Sequence, residues 1–207
     1  MKKLSVWKPN KISTQFYPRT FISYEEVYKD MYISSSDGEN RAVITVGELM
    51  LAAIRTAPKA KGVDNIVAGI LTGDDKMKLV DEMKRIGEVH DNNTFRRDAL
   101  CVERAHAIVL IGTRFSPVEV RLCGLCGFVD CNENKKNNGT CVFNLTDLGI
   151  AIGSAVSIAA EHRIDNRIMY TAGMACTNLG LLGDDVRLCF GIPLSISGKN
   201  IFFDRKF

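Results

Sequence analysis

Apolar residues at Val46, Leu49, Met50, Ala53 and Ile54 recur three and four positions apart, the spacing of one helix face. Thr45-Val46-Gly47-Glu48 is a capping-box pattern for the start of that helix, hydroxyl and carboxylate each satisfying a free backbone N–H, and Pro58 stops it. Ile66 to Thr72 is a short apolar run between turn signals and predicts a buried strand. Gly73-Asp74 opens a second helix with Met77, Val80, Met83 and Ile86–Val89 on its apolar face, and Asp91-Asn92-Asn93 breaks it. A helix around Phe95–Arg104 leads to a second buried strand, Ala107–Gly112. Past a loop rich in Gly and Asn, Leu148, Ile152, Val156 and Ala159 mark a strong helix over Thr146–Arg163. Another helix spans roughly Arg167–Leu179, a last strand, Val186–Ile192, ends at Pro193, and a tail, Gly198–Phe207, closes the chain. Upstream, residues 1–44 scatter aromatics such as Trp7, Phe16 and Tyr24 among polar residues. They read as an arm with one short helix near Tyr24–Met31 and a turn at Ser34–Gly38. The expectation is an arm (1–44) followed by a single domain (45–207), an α/β or α+β sandwich around one sheet.

Composition narrows the class without naming a reaction. The 207 residues suit one domain that buries a core without staples, and 46% hydrophobic with 25% charged residues is a soluble globular balance. A net charge of +3 with scattered basic residues offers no concentrated basic face, so nucleic acid is not an expected partner. The longest apolar stretch, Leu148 to Ala160, is interrupted by Gly and Ser and stops at Glu161-His162-Arg163, so no membrane span is expected. After Met1-Lys2-Lys3 the chain turns polar and meets Pro9, which leaves no signal-peptide core. The expected location is the cytoplasm, where thiols stay reduced and clustered cysteines point to metal binding or catalysis rather than disulfides. No Ser-His-Asp, HExxH or GxxxxGK pattern supports a hydrolase or a nucleotide triphosphatase.

Four of the seven cysteines, Cys123, Cys126, Cys131 and Cys141, stand together with the spacing C-x2-C-x4-C-x9-C. Two sulfurs so near in sequence reach one site from a tight turn, and Gly124 and Gly127 let backbone N–H groups fold around sulfur. Arg121, Lys135 and Lys136 add positive charge that favours thiolate. Four Cys without His suit tetrahedral zinc or an iron–sulfur cluster. The paired symmetry of zinc ribbons is missing, as are the common ferredoxin spacings. An iron–sulfur cluster, zinc and four unliganded buried thiols therefore stand open, in that order. Cys101 is a reserve ligand, Cys176 and Cys189 read as small buried hydrophobes, and Asp130 reads as a turn cap. His90, His106 and His162 lack ligand spacing, and Gly149-x-x-x-Gly153 predicts close helix packing.

The run Cys123-Gly124-Leu125-Cys126-Gly127-Phe128-Val129-Asp130-Cys131 resembles the opening of the four-cysteine [4Fe–4S] module in Rnf-type electron-transport subunits and corrinoid iron–sulfur proteins. The last spacing, to Cys141, is shorter here. Arg55–Gly62, the cysteine segment, Asp147–Ala155, Asn166–Tyr170 and Gly191–Ser195 are similar to the prokaryotic family described as ferredoxin-domain-containing proteins. The order Ala57-Pro58-Lys59, Ile66–Thr72, Asp147–Ala160, Gly191-Ile192-Pro193 also resembles that of FMN-dependent nitroreductases, whose Arg-Arg-Ser phosphate motif is absent here. These resemblances imply an α+β, nitroreductase-like sandwich, its central sheet flanked by helices and a four-cysteine loop (121–141) inserted. They imply a [4Fe–4S] cluster on Cys123, Cys126, Cys131 and Cys141 and, by nitroreductase habit, a homodimer with FMN at the subunit interface. Arg55, Lys59, Lys61, Lys199 and Arg205 are the cations that could meet a flavin phosphate. The expected function is an iron–sulfur redox protein, an oxidoreductase if flavin is bound, moving electrons between an unknown donor and an unknown acceptor. The alternatives are a non-enzymatic protein whose zinc staples the loop, and a cluster-bearing sensor.

Overall fold

In the computed structural model, which describes residues 32–203, strand β2 (Ala107–Arg114) sends alternate side chains into two separate cores. Ile108 and Leu110 join one; Ala107, Val109 and Ile111 join the other. A period of two with both faces covered requires a layer on each side of the sheet. The strands run in the order β1 (Ile66–Leu71), β2, β4 (Val186–Ser195), β3 (Asp165–Asn166), every neighbour antiparallel. One core packs helices α1 (Ser35–Thr56) and α5 (Val142–Glu161) through Met50, Ile54, Leu148 and Ala155. The opposite core packs α2 (Gly73–Val89), α3 (Asn93–Arg104) and α6 (Tyr170–Asn178) through Leu79, Met83, Val102 and Ala172. The expected α+β sandwich is what forms. No residue from 112 through 147, a segment that includes the short helix α4 (Cys131–Lys136), belongs to either core.

The chain divides into Met1–Ile33 and Ser34–Phe207, and the second unit carries the sheet and its helices. The helix expected near Tyr24–Met31 and the candidate Arg205 lie outside the described residues. Helix α1 begins at Ser35, ten residues before the capping box at Thr45. Ser34 caps it, its hydroxyl oxygen accepting the Asp37 N–H at 3.1 Å, so the expected turn over Ser34–Gly38 is the first turn of the helix. The buried face continues upstream from Val46 to Val43, which is why Thr45 and Glu48 end up mid-helix.

Strand β4 does not stop at Pro193 but continues to Ser195. Leu194 turns its carbonyl toward β2, accepting the His106 N–H, whereas Gly191 exchanges hydrogen bonds with Met169 on the other side. By alternation Pro193 faces the β3 side, in the gap between the Met169–Gly191 bridge and the two-residue β3, so its missing N–H breaks no ladder bond. Strand β1, expected to be fully buried, is an edge strand and is half-buried after Ile66.

Helix α5 is, among the described residues, the one helix long and apolar enough to cross a bilayer, contrary to the reading of its interrupted apolar stretch. Its inner face, Leu148, Ala151, Ile152 and Ala155, is core, and the same helix buries Asn144 and Asp147, polar groups costly in lipid. Gly149 and Gly153 do not produce the expected close packing: nothing lies within 4 Å of where their Cβ atoms would stand.

Candidate metal centre

The chain leaves β2 at Arg114, which pairs with Asp185 at 2.5 Å, and reaches its next long element at α5. Between them the backbone repeatedly enters the left-handed region, at Glu119 (φ 59°), Leu122 (58°), Gly124 (58°) and Gly127 (84°). Glycine takes that conformation without strain, and the Gly127 N–H closes a turn on the Gly124 carbonyl at 3.1 Å, bringing Cys123 and Cys126 to the same side of the loop. Asp130 caps α4 by accepting the Glu133 N–H at 2.8 Å, while Glu133 reaches back to the Val129 N–H at 2.7 Å. The expected turn cap is thus a helix cap, and it sets Cys131 in the first helical position. Asn134, almost wholly buried, then takes the Gly139 N–H on its carbonyl at 2.8 Å and steers the chain back to Cys141. Cys141 is the N-cap residue of α5, where free N–H groups and the helix dipole favour an anionic sulfur.

The result is a cavity of about 300 Å³ lined by all four cysteines together with the residues from Glu119 to Gly124. That is well beyond the roughly 30 Å³ of a single water. Cys123, Cys126 and Cys131 are half-buried and Cys141 is buried. Among the described residues no three His, Cys, Asp or Glu side chains stand close enough to share a single ion. From Glu119 to Cys126 no backbone N–H donates to another described residue, so a row of donors is left at the cavity. A polynuclear, negatively charged cluster suits that donor set: four thiols, space between them, and N–H groups free to meet sulfur.

The cationic residues separate into two groups. Arg55 ion-pairs with Asp64, and the nearly buried Lys59 ammonium donates to the carbonyls of Ile54 (2.8 Å) and Arg55 (2.7 Å), closing the end of α1. Burial pushes the Asp64 carboxyl upward, but the Ile66 N–H, Arg55 and Lys59 outweigh it and hold the group below its ordinary value. Lys61 instead donates to the carbonyls of Val118 (3.2 Å) and Glu119 (3.1 Å) at the edge of the cavity. Lys135 hydrogen-bonds Glu119 at 2.6 Å and so keeps that carboxyl below the usual range. Lys199 is exposed in the segment after β4. Arg55, Lys59 and Lys61 each face an internal acceptor.

Two residues at this site were not singled out by sequence. Asn134 and Asn144 each follow a cysteine of the cluster by three positions on a helix, and that repeated spacing was the available signal. Asn144 is buried with neither side-chain polar atom partnered among the described residues, a state that calls for a functional or structural reason. Asp147, buried on α5, takes the Ala60 N–H on both carboxylate oxygens at 3.1 Å and so ties the turn bearing Lys61 to the helix bearing Cys141. Burial is the main force pushing its pKa up, with Asp64 adding to it and Ala60 and Lys59 opposing. An acid whose folded value is raised binds more protons folded than unfolded, so stability falls as pH climbs from the ordinary carboxylate value of 3.8 through the raised one. Asp147→Asn keeps an acceptor for Ala60, and its melting temperature should be flatter with pH across that window. An unchanged slope would assign the effect to another group.

Of the remaining cysteines, Cys101 donates to the Ile201 carbonyl at 3.8 Å inside the core of α2, α3 and α6, where burial pushes its thiol up. It lines no part of the cysteine cavity and is not a reserve ligand. Cys176 and Cys189 meet as two buried thiols in the same core, as their apolar settings implied.

A sheet between two helical layers is a nitroreductase-like fold, here with a cavity lined by four cysteines. Nitroreductase CinD from Lactococcus lactis, in complex with nicotinic acid, superposes with a TM-score of 0.51 at 19% identity, over 75% of this chain and 81% of its own. The FMN and NADPH-dependent nitroreductase NfnB from sphigopyxis sp. strain HMH gives 0.50 at 12% identity, over 86% and 85%. The chain belongs to the family described as uncharacterized protein containing a ferredoxin domain (DUF2148), whose pattern matches residues 137–205 and so takes in Cys141 but not the other three. An uncharacterized protein of Archaeoglobus fulgidus is 38% identical over 183 residues, covering 84% of this chain and 98% of its own. Family and fold together point to a redox role.

Proposed function

We propose that this protein is an iron–sulfur redox protein in which Cys123, Cys126, Cys131 and Cys141 hold a [4Fe–4S] cluster and electrons pass through it between a donor and an acceptor. The observation that carries this is the single cavity ringed by four thiols and rimmed with undonated N–H groups. When bound, the cluster supplies one-electron chemistry at a potential set by ligation, hydrogen bonds to sulfur and exposure. The chain's own part is to deliver three thiolates from a turn and a capped short helix and the fourth from the N-terminus of α5. A structural zinc, which would hold its sulfurs at about 2.3 Å from one point, is the alternative occupant that the test below distinguishes. FMN is implied by the fold, but Arg55, Lys59 and Lys61 speak against a phosphate site built on them, so the reading rests on the cluster alone. A homodimer is supported by the outer face of α5, where Leu145 and Ile150 are exposed beside Gly149 and Gly153. Seven free thiols suit the reducing cytoplasm.

The test is anaerobic purification followed by iron, inorganic sulfide and zinc analysis, with light scattering on the same sample for the dimer. About four iron and four sulfide per chain are expected. Stoichiometric zinc without sulfide would sink the redox reading, and a yellow fluorescent supernatant on heating would restore the flavin.

A further inference from the structure

We infer that Lys61 is a positioning residue that aims two backbone N–H groups, those of Glu119 and Val120, at the sulfur of the cluster; the inference rests on the cluster reading above. Lys61 holds the carbonyls of Val118 and Glu119 at 3.2 and 3.1 Å. A trans peptide carries its C=O and N–H on opposite sides. The other halves of those two peptides, the N–H groups of Glu119 and Val120, are therefore turned away from Lys61. In an extended chain successive carbonyls alternate, and two could not converge on one ammonium. They converge here because Glu119 is left-handed, at φ 59°. The same conformation makes the two N–H groups parallel, the arrangement of a backbone nest that receives an anion. Neither N–H donates to any described residue, and both residues line the cysteine cavity.

Lys61 is itself an uncommon choice for its position. Its φ is 54°, a conformation that favours glycine or asparagine, and Gly62 follows at 69°. A lysine is held there by what its ammonium reaches. The turn that bears it is anchored from behind by Asp147, which fixes the neighbouring Ala60 N–H to α5. The nest is held also at its side chain, where Glu119 pairs with Lys135 of α4. Lys61 thus acts through the peptides of the loop, without needing to touch the cluster.

The experiment compares anaerobically purified wild-type protein with Lys61→Met and Lys61→Arg, reading iron and sulfide content, rate of iron loss to a chelator, and midpoint potential. Lys61→Met should assemble a cluster of normal iron content, lose iron on the order of ten-fold faster, and show a more negative midpoint, because N–H bonds to sulfur stabilise the reduced cluster. Lys61→Arg, which still donates to two carbonyls, should stay near wild type in both. Wild-type release rate and potential in folded Lys61→Met would overturn the inference. If Lys61→Met does not accumulate as folded protein, Lys61→Gln, whose shorter side chain reaches one carbonyl, takes its place. Equal values for the Gln and Arg variants would then overturn it. Wild-type protein without iron and sulfide would instead sink the cluster reading and is scored separately.

Discussion

Cys123→Ser protein is expected to purify colourless, with the visible absorption of the cluster abolished and the fold intact. A serine oxygen is harder and far less acidic than a thiol and is a poor ligand for iron–sulfur iron. The fold should survive because the residue is only half-buried and its segment contributes to neither core. Cys126→Ser and Cys131→Ser should behave alike. Cys141→Ser separates the two roles of its position. Cys141 caps α5 without a side-chain hydrogen bond, and serine is among the best N-cap residues, stabilising by typically about 1 kcal/mol over alanine. That variant should lose colour while its metal-free melting temperature holds or rises. Absorbance spectra with iron analysis, beside thermal melts of the metal-free proteins, read both arms. Colour surviving in Cys123→Ser would mean the ligand assignment is wrong.

Gly173→Ala is expected to be the most damaging single methyl group in the body. Gly173 lies in α6 where that helix presses on β4, and a Cβ there would run into the Cys189 carbonyl and the Phe190 Cα. Overpacking costs typically about 1–3 kcal/mol where side chains give way, and here backbone stands on both sides. The loss should reach at least about 3 kcal/mol, a fall in melting temperature of roughly 6–12 °C for a chain of this size. Gly153→Ala is the matched control, since a Cβ there meets open space and gains helix propensity of roughly 1 kcal/mol. Equal melting temperatures for Gly173→Ala and wild type would show that α6 can shift off the sheet. Destabilisation by Gly153→Ala would report a second copy packed on α5.

The elements with strong patterns were legible from sequence: β2 as an apolar run, α2 by its apolar face, α3 between a break and a strand, α5 by its apolar stripe. The start of α1 was not, because Ser34-Ser35-Ser36-Asp37 and Thr45-Val46-Gly47-Glu48 both fit a capping pattern. Only packing of Val43 against the sheet decides between them. Pro193 marked a strand end by local rule, yet its place beside the short β3 left it no hydrogen bond to lose. At the site, the four cysteines were readable as a group from spacing and glycines, and all four line one cavity. The roles of the lysines were not readable. Whether an ammonium meets a phosphate, a helix end or a loop carbonyl depends on contacts across 57 or 58 positions, as for Lys61, and no local pattern encodes that.

The independence of both cores from residues 112–147 has a consequence for how the protein is made and maintained. If that segment holds the proposed cluster, iron and sulfide can be inserted into a body whose two cores are complete without it. Loss of that iron would leave both cores intact. The lifetime of the proposed prosthetic group would thereby be uncoupled from the lifetime of the polypeptide.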